Sequence, residues 1–194
     1  MMFVLLPLIY IGGNIYLFRH MLHAVSVLPL WLKVGLSVLF WTAAFSLFIS
    51  IGLRDSSIPD IVSRAMFMTG SVWMIFLLYM VIGLIICDLI HLAIPSFHGG
   101  FRYSLVIVTA ILIYGNINYR HPKTEHVEIS FGKRFGKERM RIVAVSDVHI
   151  GHGTGVKALS RYVDLINEQS PDIVLIAGDL IDNSIAPLLK HPFD

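Results

Sequence analysis

Charge is scarce in this chain, and cysteine scarcer. Only 14% of the 194 residues are Asp, Glu, Lys or Arg, against 56% hydrophobic. Soluble domains carry about 25% charged residues, so a wholly water-exposed globular protein is excluded. The formal net charge of +2 leaves no nucleic-acid footprint. The single cysteine, Cys87, lies in an apolar run. It excludes an intrachain disulfide and leaves the redox compartment open. Internal repeats and low-complexity tracts are missing as well.

The apolar residues that fill the chain are unevenly spread. Residues 1–119 are nearly all apolar, whereas residues 120–194 read as a soluble protein, which implies a transmembrane helical domain over 1–119 and a second domain over 120–194. A bilayer core about 30 Å thick needs roughly 20 apolar residues per helix. Four runs approach that length: 1–18, ended by Arg19 and His20; 34–53, ended by Arg54 and Asp55; 65–87, ended by Asp88; and 104–119, ended by Arg120. The first and fourth are short, and the fourth carries Asn116 and Asn118 in its last turn. The first has a rival reading as a secretory signal peptide, but it lacks a positive n-region and an A-x-A-like site. A soluble bundle would need polar outer faces, and these runs are apolar all round. Trp31, Tyr79, Tyr103 and Tyr119 suit interfacial belts, while Trp41 and Trp73 lie deeper in their runs. Asp88 and His91 are three apart at a span end, where a cap at headgroup level is the simpler reading than an ion site. His20, His23 and His98 read as interfacial or loop residues.

The second domain opens with a polar linker at 121–123. Residues 124–130 alternate, with Val127 and Ile129 opposed to His126 and Glu128, the pattern of a half-buried strand. Residues 131–137 hold Gly132 and Gly136 among basic residues and read as a turn. Residues 140–146 form a short β-branched run, as in a strand buried on both faces. Thr154 is placed to cap a helix. From Val156, the apolar residues Leu159, Tyr162, Val163 and Ile166 share one helical face. Pro171 follows, and residues 172–177 (DIVLIA) form a second buried strand. Strand, helix, strand at this spacing predicts a βαβ unit with parallel strands and a right-handed crossover.

Each predicted strand ends in polar residues: Ser146-Asp147-Val148-His149 after the first, Gly178-Asp179-Leu180-Ile181-Asp182-Asn183 after the second. Parallel strands put both carboxyl ends at one edge of a sheet, where α/β folds bind ligands. Asp147 and His149 are two apart and share a face if the chain leaves the strand extended. A carboxylate and an imidazole suit a divalent transition metal, and Asp179 adds a carboxylate able to bridge two ions. Carboxylates this close repel unless a cation lies between them. Gly178 allows a tight bend before Asp179. His152 sits in a glycine-rich loop and is not counted as a ligand.

The segments RIVAVSDVHIGHG and PDIVLIAGDLIDN together resemble the calcineurin-like metallophosphoesterase family, especially its bacterial branch with N-terminal transmembrane helices. The Asp-x-His motif is matched by Asp147 and His149, and the Gly-Asp motif by Gly178 and Asp179, with Asp182 following. The resemblance covers about residues 124–183. It implies an α/β sandwich carrying a centre of two divalent ions (Mn, Fe, Zn or similar), with Asp147 and His149 on one and Asp179 bridging both. The family's Gly-Asn-His-Asp/Glu motif, a further His and a Gly-His-x-His motif do not occur in these 194 residues. The catalytic Asn and His are therefore expected beyond residue 194, and residues 1–194 alone are expected to be inactive.

The resulting expectation is a membrane-anchored, metal-dependent hydrolase of phosphate ester or pyrophosphate bonds. Its partners would be membrane lipids and a phosphorylated small-molecule or lipid-linked substrate; UDP-diacylglucosamine is one that the resemblance implies. The alternative is a non-catalytic membrane sensor or scaffold with a degenerate domain. An even number of spans puts both termini on one side. Arg54, Arg64, Arg120, Lys123, Lys133, Arg134, Lys137 and Arg139 lie on the side of the second domain, against Arg19, Lys33 and Arg102 on the other. The positive-inside rule therefore predicts a cytoplasmic second domain, and the resemblance implies a bacterial inner membrane. A reporter fused after residue 140 should be fluorescent as a cytoplasmic fusion and inactive as an alkaline phosphatase fusion; the reverse pair of signals would invert the topology.

Overall fold

The computed structural model describes residues 2–53, 59–130, 132, 139–150 and 154–181. The chain divides into two compact units, Met1–Pro122 and Lys123–Asp194.

The first unit is four helices: α1 (Met2–Ala24), α2 (Leu30–Gly52), α3 (Asp60–Ala93) and α4 (Gly100–Tyr119). Each overlaps an expected apolar run and extends past at least one end of it. Prolines and a left-handed glycine set the ends: Pro29 and Pro59 precede α2 and α3, and Gly99 at φ +88° precedes α4. Charged residues do not stop the helices, because they can reach toward headgroups while the backbone ladder continues. α1 thus runs on through Arg19, His20 and His23. At 34 residues, α3 is about 51 Å long, well beyond an apolar bilayer core.

Among the described residues, α2, α4 and residues 61–93 of α3 are long and apolar enough to cross a membrane. α1, 23 residues long, carries Pro7, Asn14, Arg19 and His20 among its apolar residues. The outer faces match this solvent: Leu8, Val38, Ile61, Leu92 and Val106 are all exposed. The first unit is that of a membrane protein.

Its interior centres on Leu17, Phe40, Leu77, Met80, Leu84 and Val108. Apolar surface drives little association where the solvent is also apolar, so close packing and hydrogen bonds must hold the helices. Both are present. Buried Asn14 accepts from Trp73 Nε1 at 3.0 Å and donates to the Tyr10 carbonyl at 2.8 Å. The Tyr10 hydroxyl donates to the Ala44 carbonyl at 2.5 Å, so α1 is bonded to α2 and to α3. Trp73 also meets Phe40 edge-on at 4.7 Å, which places it inside the bundle. Glycines let α3 approach its neighbours. A Cβ at Gly70 would lie 2.7 Å from Leu47 Cα, one at Gly83 3.1 Å from Ser104 Oγ, and one at Gly100 2.7 Å from Cys87 Cβ.

The second unit contains β1 (Ile142–Ser146), α5 (Val156–Glu168) and β2 (Ile173–Ala177). The strands are parallel, in a register from Ile142↔Ile173 to Ser146↔Ala177. Arg141 clamps the amino ends. Its N–H donates to Asp172 Oδ2 at 2.9 Å, its guanidinium to the Gln169 carbonyl at 2.6 Å, and its carbonyl accepts from Asp172 N–H at 2.8 Å.

Four expectations need correction. Residues 124–130 are exposed and form no strand, because alternation makes a strand only where a partner ladder exists. The two strands are not buried: β2 exposes all five residues and β1 alternates half-buried with exposed, since two strands and one helix cannot cover both faces of a sheet. Thr154 is not the cap of α5. Gly155 is, and Thr154 is buried and bridges Ile150 instead. On α5, Val163 is exposed, and Leu165 joins Leu159, Tyr162 and Ile166 on the half-buried face. The expected turn over 131–137 lies outside the described residues apart from Gly132.

The α2–α3 contact gives a direct test. Gly70→Ala should destabilise the unit by about 1–3 kcal/mol through overpacking against a backbone. Gly35→Ala, where a Cβ meets nothing within 4 Å, should be neutral or stabilising through helix propensity. Thermal unfolding in detergent checks both; equal melting temperatures for the two variants would refute the contact.

Candidate metal centre at the strand ends

The parallel ladder does not stop where the strands do. Asp147 N–H donates to the Ala177 carbonyl at 3.0 Å, His149 N–H to the Asp179 carbonyl at 3.0 Å, and Ile150 N–H to the Leu180 carbonyl at 2.9 Å. Ile150 is buried and bridges both Ile181 and Thr154. The two polar exits are therefore tied side by side at the carboxyl edge, as the βαβ reading requires.

The first exit is not extended. Asp147 has φ +50° and His149 φ +47°, the left-handed region that costs a non-glycine residue roughly 1–2 kcal/mol. The alternation rule that placed both side chains on one face does not apply to such a backbone, so that reason for pairing them fails. Strain of this kind gathers at functional sites when surrounding bonds hold it, and here the ladder to residues 177–180 does so.

Gly178 is the counterpart on the second exit. Its φ is +75°, and a Cβ there would lie 2.9 Å from Asp147 Cγ and overlap Oδ1. The carboxylate of Asp147 thus occupies the space that a side chain at 178 would fill. Asp179 N–H points to Asp147 Oδ1 at 3.4 Å, a long contact that positions more than it binds. Asp147, His149 and Asp179 are all exposed.

The structure thus joins Asp147 to Asp179 through a carboxylate–amide contact, and His149 to Asp179 through their backbones. Among the described residues, no three His, Cys, Asp or Glu side chains converge as a metal-binding group. The donor chemistry of two carboxylates and an imidazole fits a divalent ion, and the glycine cradle keeps room beside one carboxylate. Asp182, Asn183 and His152 lie outside the described residues. Sequence reasoning missed the left-handed pair and the buried Ile150–Thr154 bridge beneath it. No local pattern signals either, since both follow from the neighbouring strand's register.

Comparison with known proteins agrees with this edge. Residues 140–193 match the family model of the calcineurin-like phosphoesterases. A zebrafish transmembrane protein with a metallophosphoesterase domain is 39% identical over 95 residues, covering 46% of this chain and 22% of its own length. An uncharacterized metallophosphoesterase of Campylobacter jejuni is 32% identical over 93 residues, 47% of this chain and 24% of its own. One from Bacillus subtilis is 32% identical over 89 residues, 40% and 31% respectively. The matched stretch is about a quarter of the length of the first two relatives. No solved structure is significantly similar to the chain. Residues 140–193 are thus similar to calcineurin-like phosphoesterases, and they follow a unit of apolar helices.

Substitution at the cradle should be felt at once. Gly178→Ala must both hold a left-handed alanine and displace the Asp147 carboxylate. Amide exchange at Asp147 and His149 should accelerate at least about tenfold, from the cost of roughly 1–2 kcal/mol that a left-handed residue carries. Gly132→Ala, with nothing within 4 Å, should leave exchange unchanged; unaltered exchange in Gly178→Ala would show that the cradle is slack.

Proposed function

We propose that the protein is a membrane-anchored, metal-dependent phosphoesterase that cleaves phosphate ester or pyrophosphate bonds. One observation carries the reading: the corner in which the Asp147 carboxylate fills the space over Gly178 and faces the Asp179 amide, inside the segment matched to the phosphoesterase family. In this reading Asp147 and His149 hold one divalent ion and Asp179 bridges to a second. Such ions, when bound, supply a nucleophile from water and compensate the charge of phosphoryl oxygens.

The chain's own residues prepare that place. Gly178 keeps it free of a side chain, and the amide of Asp179 points to the Asp147 carboxylate. The backbone bonds from Asp147 and His149 to the other exit hold the edge in one arrangement. An apolar helical unit at the amino end suits a lipid-linked or membrane-proximal substrate, UDP-diacylglucosamine among them, on the cytoplasmic side of a bacterial inner membrane. Mn, Fe or Zn matches the mixed donor set.

The second reading is a membrane sensor or scaffold with a degenerate domain. It draws on the lack of three converging donors among the described residues.

One experiment separates them: metal-dependent hydrolysis of a generic phosphodiester by purified protein that includes the whole phosphoesterase domain. Turnover is expected. Asp179→Ala should cost at least about 10–100-fold, the loss already seen when only a ligand's supporting partner is removed. Asp182→Ala should cost less. Full activity and metal content in Asp179→Ala would reject the bridge, and an inert parent protein would favour the second reading.

A further inference from the structure

Asp88 lies within the long apolar helix α3, where its apolar run ends. An ionisable side chain in such a place is costly and is kept for a purpose. Its Oδ2 accepts the Tyr16 hydroxyl at 2.5 Å and lies 3.3 Å from His20 Nε2. The Tyr16 and His20 rings meet edge-on at 4.7 Å. A bolt between α1 and α3 would need no more than this. Two further features go beyond a bolt.

First, the carboxylate is only half used. Oδ1 accepts no hydrogen bond among the described residues, and the Asp88 side chain is 50% exposed. Second, Asp88 and Tyr16 sit on a groove of about 570 Å³ between α1 and α3, walled by Ile9, Val81, Ile85 and Leu89. That volume falls in the range of about 300–1,000 Å³ usual for ligand sites. The wall opposite α3 is thinned by Gly12, where a Cβ would meet nothing within 4 Å. The groove is thus an apolar trough with the Asp88 carboxylate in its lining.

Charge complementarity selects the occupant. An apolar chain fits the trough, and a cation that can donate a hydrogen bond fits Oδ1. We propose that this groove binds a phospholipid with a primary-ammonium headgroup, its ammonium on Asp88 and one acyl chain along α1 and α3. A primary ammonium has N–H groups to donate, whereas a quaternary one has none, and an anionic glycerol headgroup meets the carboxylate as a like charge. Tyr16 and His20 act as positioning residues, holding the carboxylate through Oδ2. This proposal stands apart from the phosphoesterase reading and survives its failure.

Native mass spectrometry of the detergent-purified chain tests it, titrated with phosphatidylethanolamine, phosphatidylcholine and phosphatidylglycerol at equal concentrations. Ethanolamine-lipid adducts should exceed the other two about tenfold, the ratio a charge-assisted hydrogen bond supplies. Asp88→Asn should keep adducts but lose the preference. Gly12→Leu fills the trough while leaving Asp88, Tyr16 and His20 unsubstituted, and should remove the adducts from a folded protein. It thereby covers the case in which Asp88→Asn does not fold. Equal adducts of all three lipids in the parent chain would overturn the proposal. So would a preference for choline or glycerol lipid, a preference that survives Asp88→Asn, or adducts that survive Gly12→Leu.

Discussion

Everything in the helical unit depends on how closely α3 is allowed to approach its neighbours. In an apolar solvent, burying apolar surface yields little, and dispersion falls off within an ångström of contact. Gly70 brings the α2 backbone to α3, while Gly83 and Gly100 bring α4. α1 has no such glycine contact with a backbone. It is held instead by polar groups: Asn14 with Trp73, Tyr10 with Ala44, and Tyr16 with Asp88. Two kinds of adhesion therefore divide the bundle. α2, α3 and α4 join mainly by shape, with Ser50–Ser63 and Cys87–Ser104 contacts besides, and α1 draws more on hydrogen bonds, whose strength in hydrocarbon is modest. A trough of about 570 Å³ lies beside α1, and another of about 490 Å³ lies between α3 and α4.

At the strand ends the governing constraint is again a missing Cβ. Gly178 and Asp147 share one volume, and only one of them can carry a side chain into it. That exclusion places the carboxylate at the corner. The left-handed turns at Asp147 and His149 are the cost of steering a chain round that corner while keeping its amides on the neighbouring exit. A site built in this way is defined more by the register of two strands than by the motif in either.

This explains what the sequence could and could not disclose. Apolar runs show where helices lie, because length and composition are sufficient for a bilayer. They do not show where helices end. Arg19, His20 and Asp88 end apolar runs but not helices, and the breaks come at Pro29, Pro59 and Gly99. Parallel pairing of residues 142–146 with 173–177 was legible from two β-branched runs flanking an amphipathic stretch. Burial of those runs was not, because it depends on layers outside the pair. The edge that gathers Asp147, His149 and Asp179 followed from topology. The conformation of the first two did not, since Asp and His tolerate both extended and left-handed backbones and only the adjacent strand decides between them. The alternation at 124–130 misled for a related reason: a period of two states a preference, and only a partner ladder fulfils it.

The uncovered second strand has a consequence for the making of the protein. IVLIA is uncharged and free of proline and glycine, and each of its five residues is exposed. A short window of that character is the pattern that seeds cross-β stacking when left open. During synthesis the apolar helices emerge first, so this strand leaves the ribosome on a chain already confined to a membrane, where neighbouring copies are concentrated in two dimensions. Whatever covers its faces, whether later-made layers of the same domain or a chaperone, must arrive before another nascent strand does.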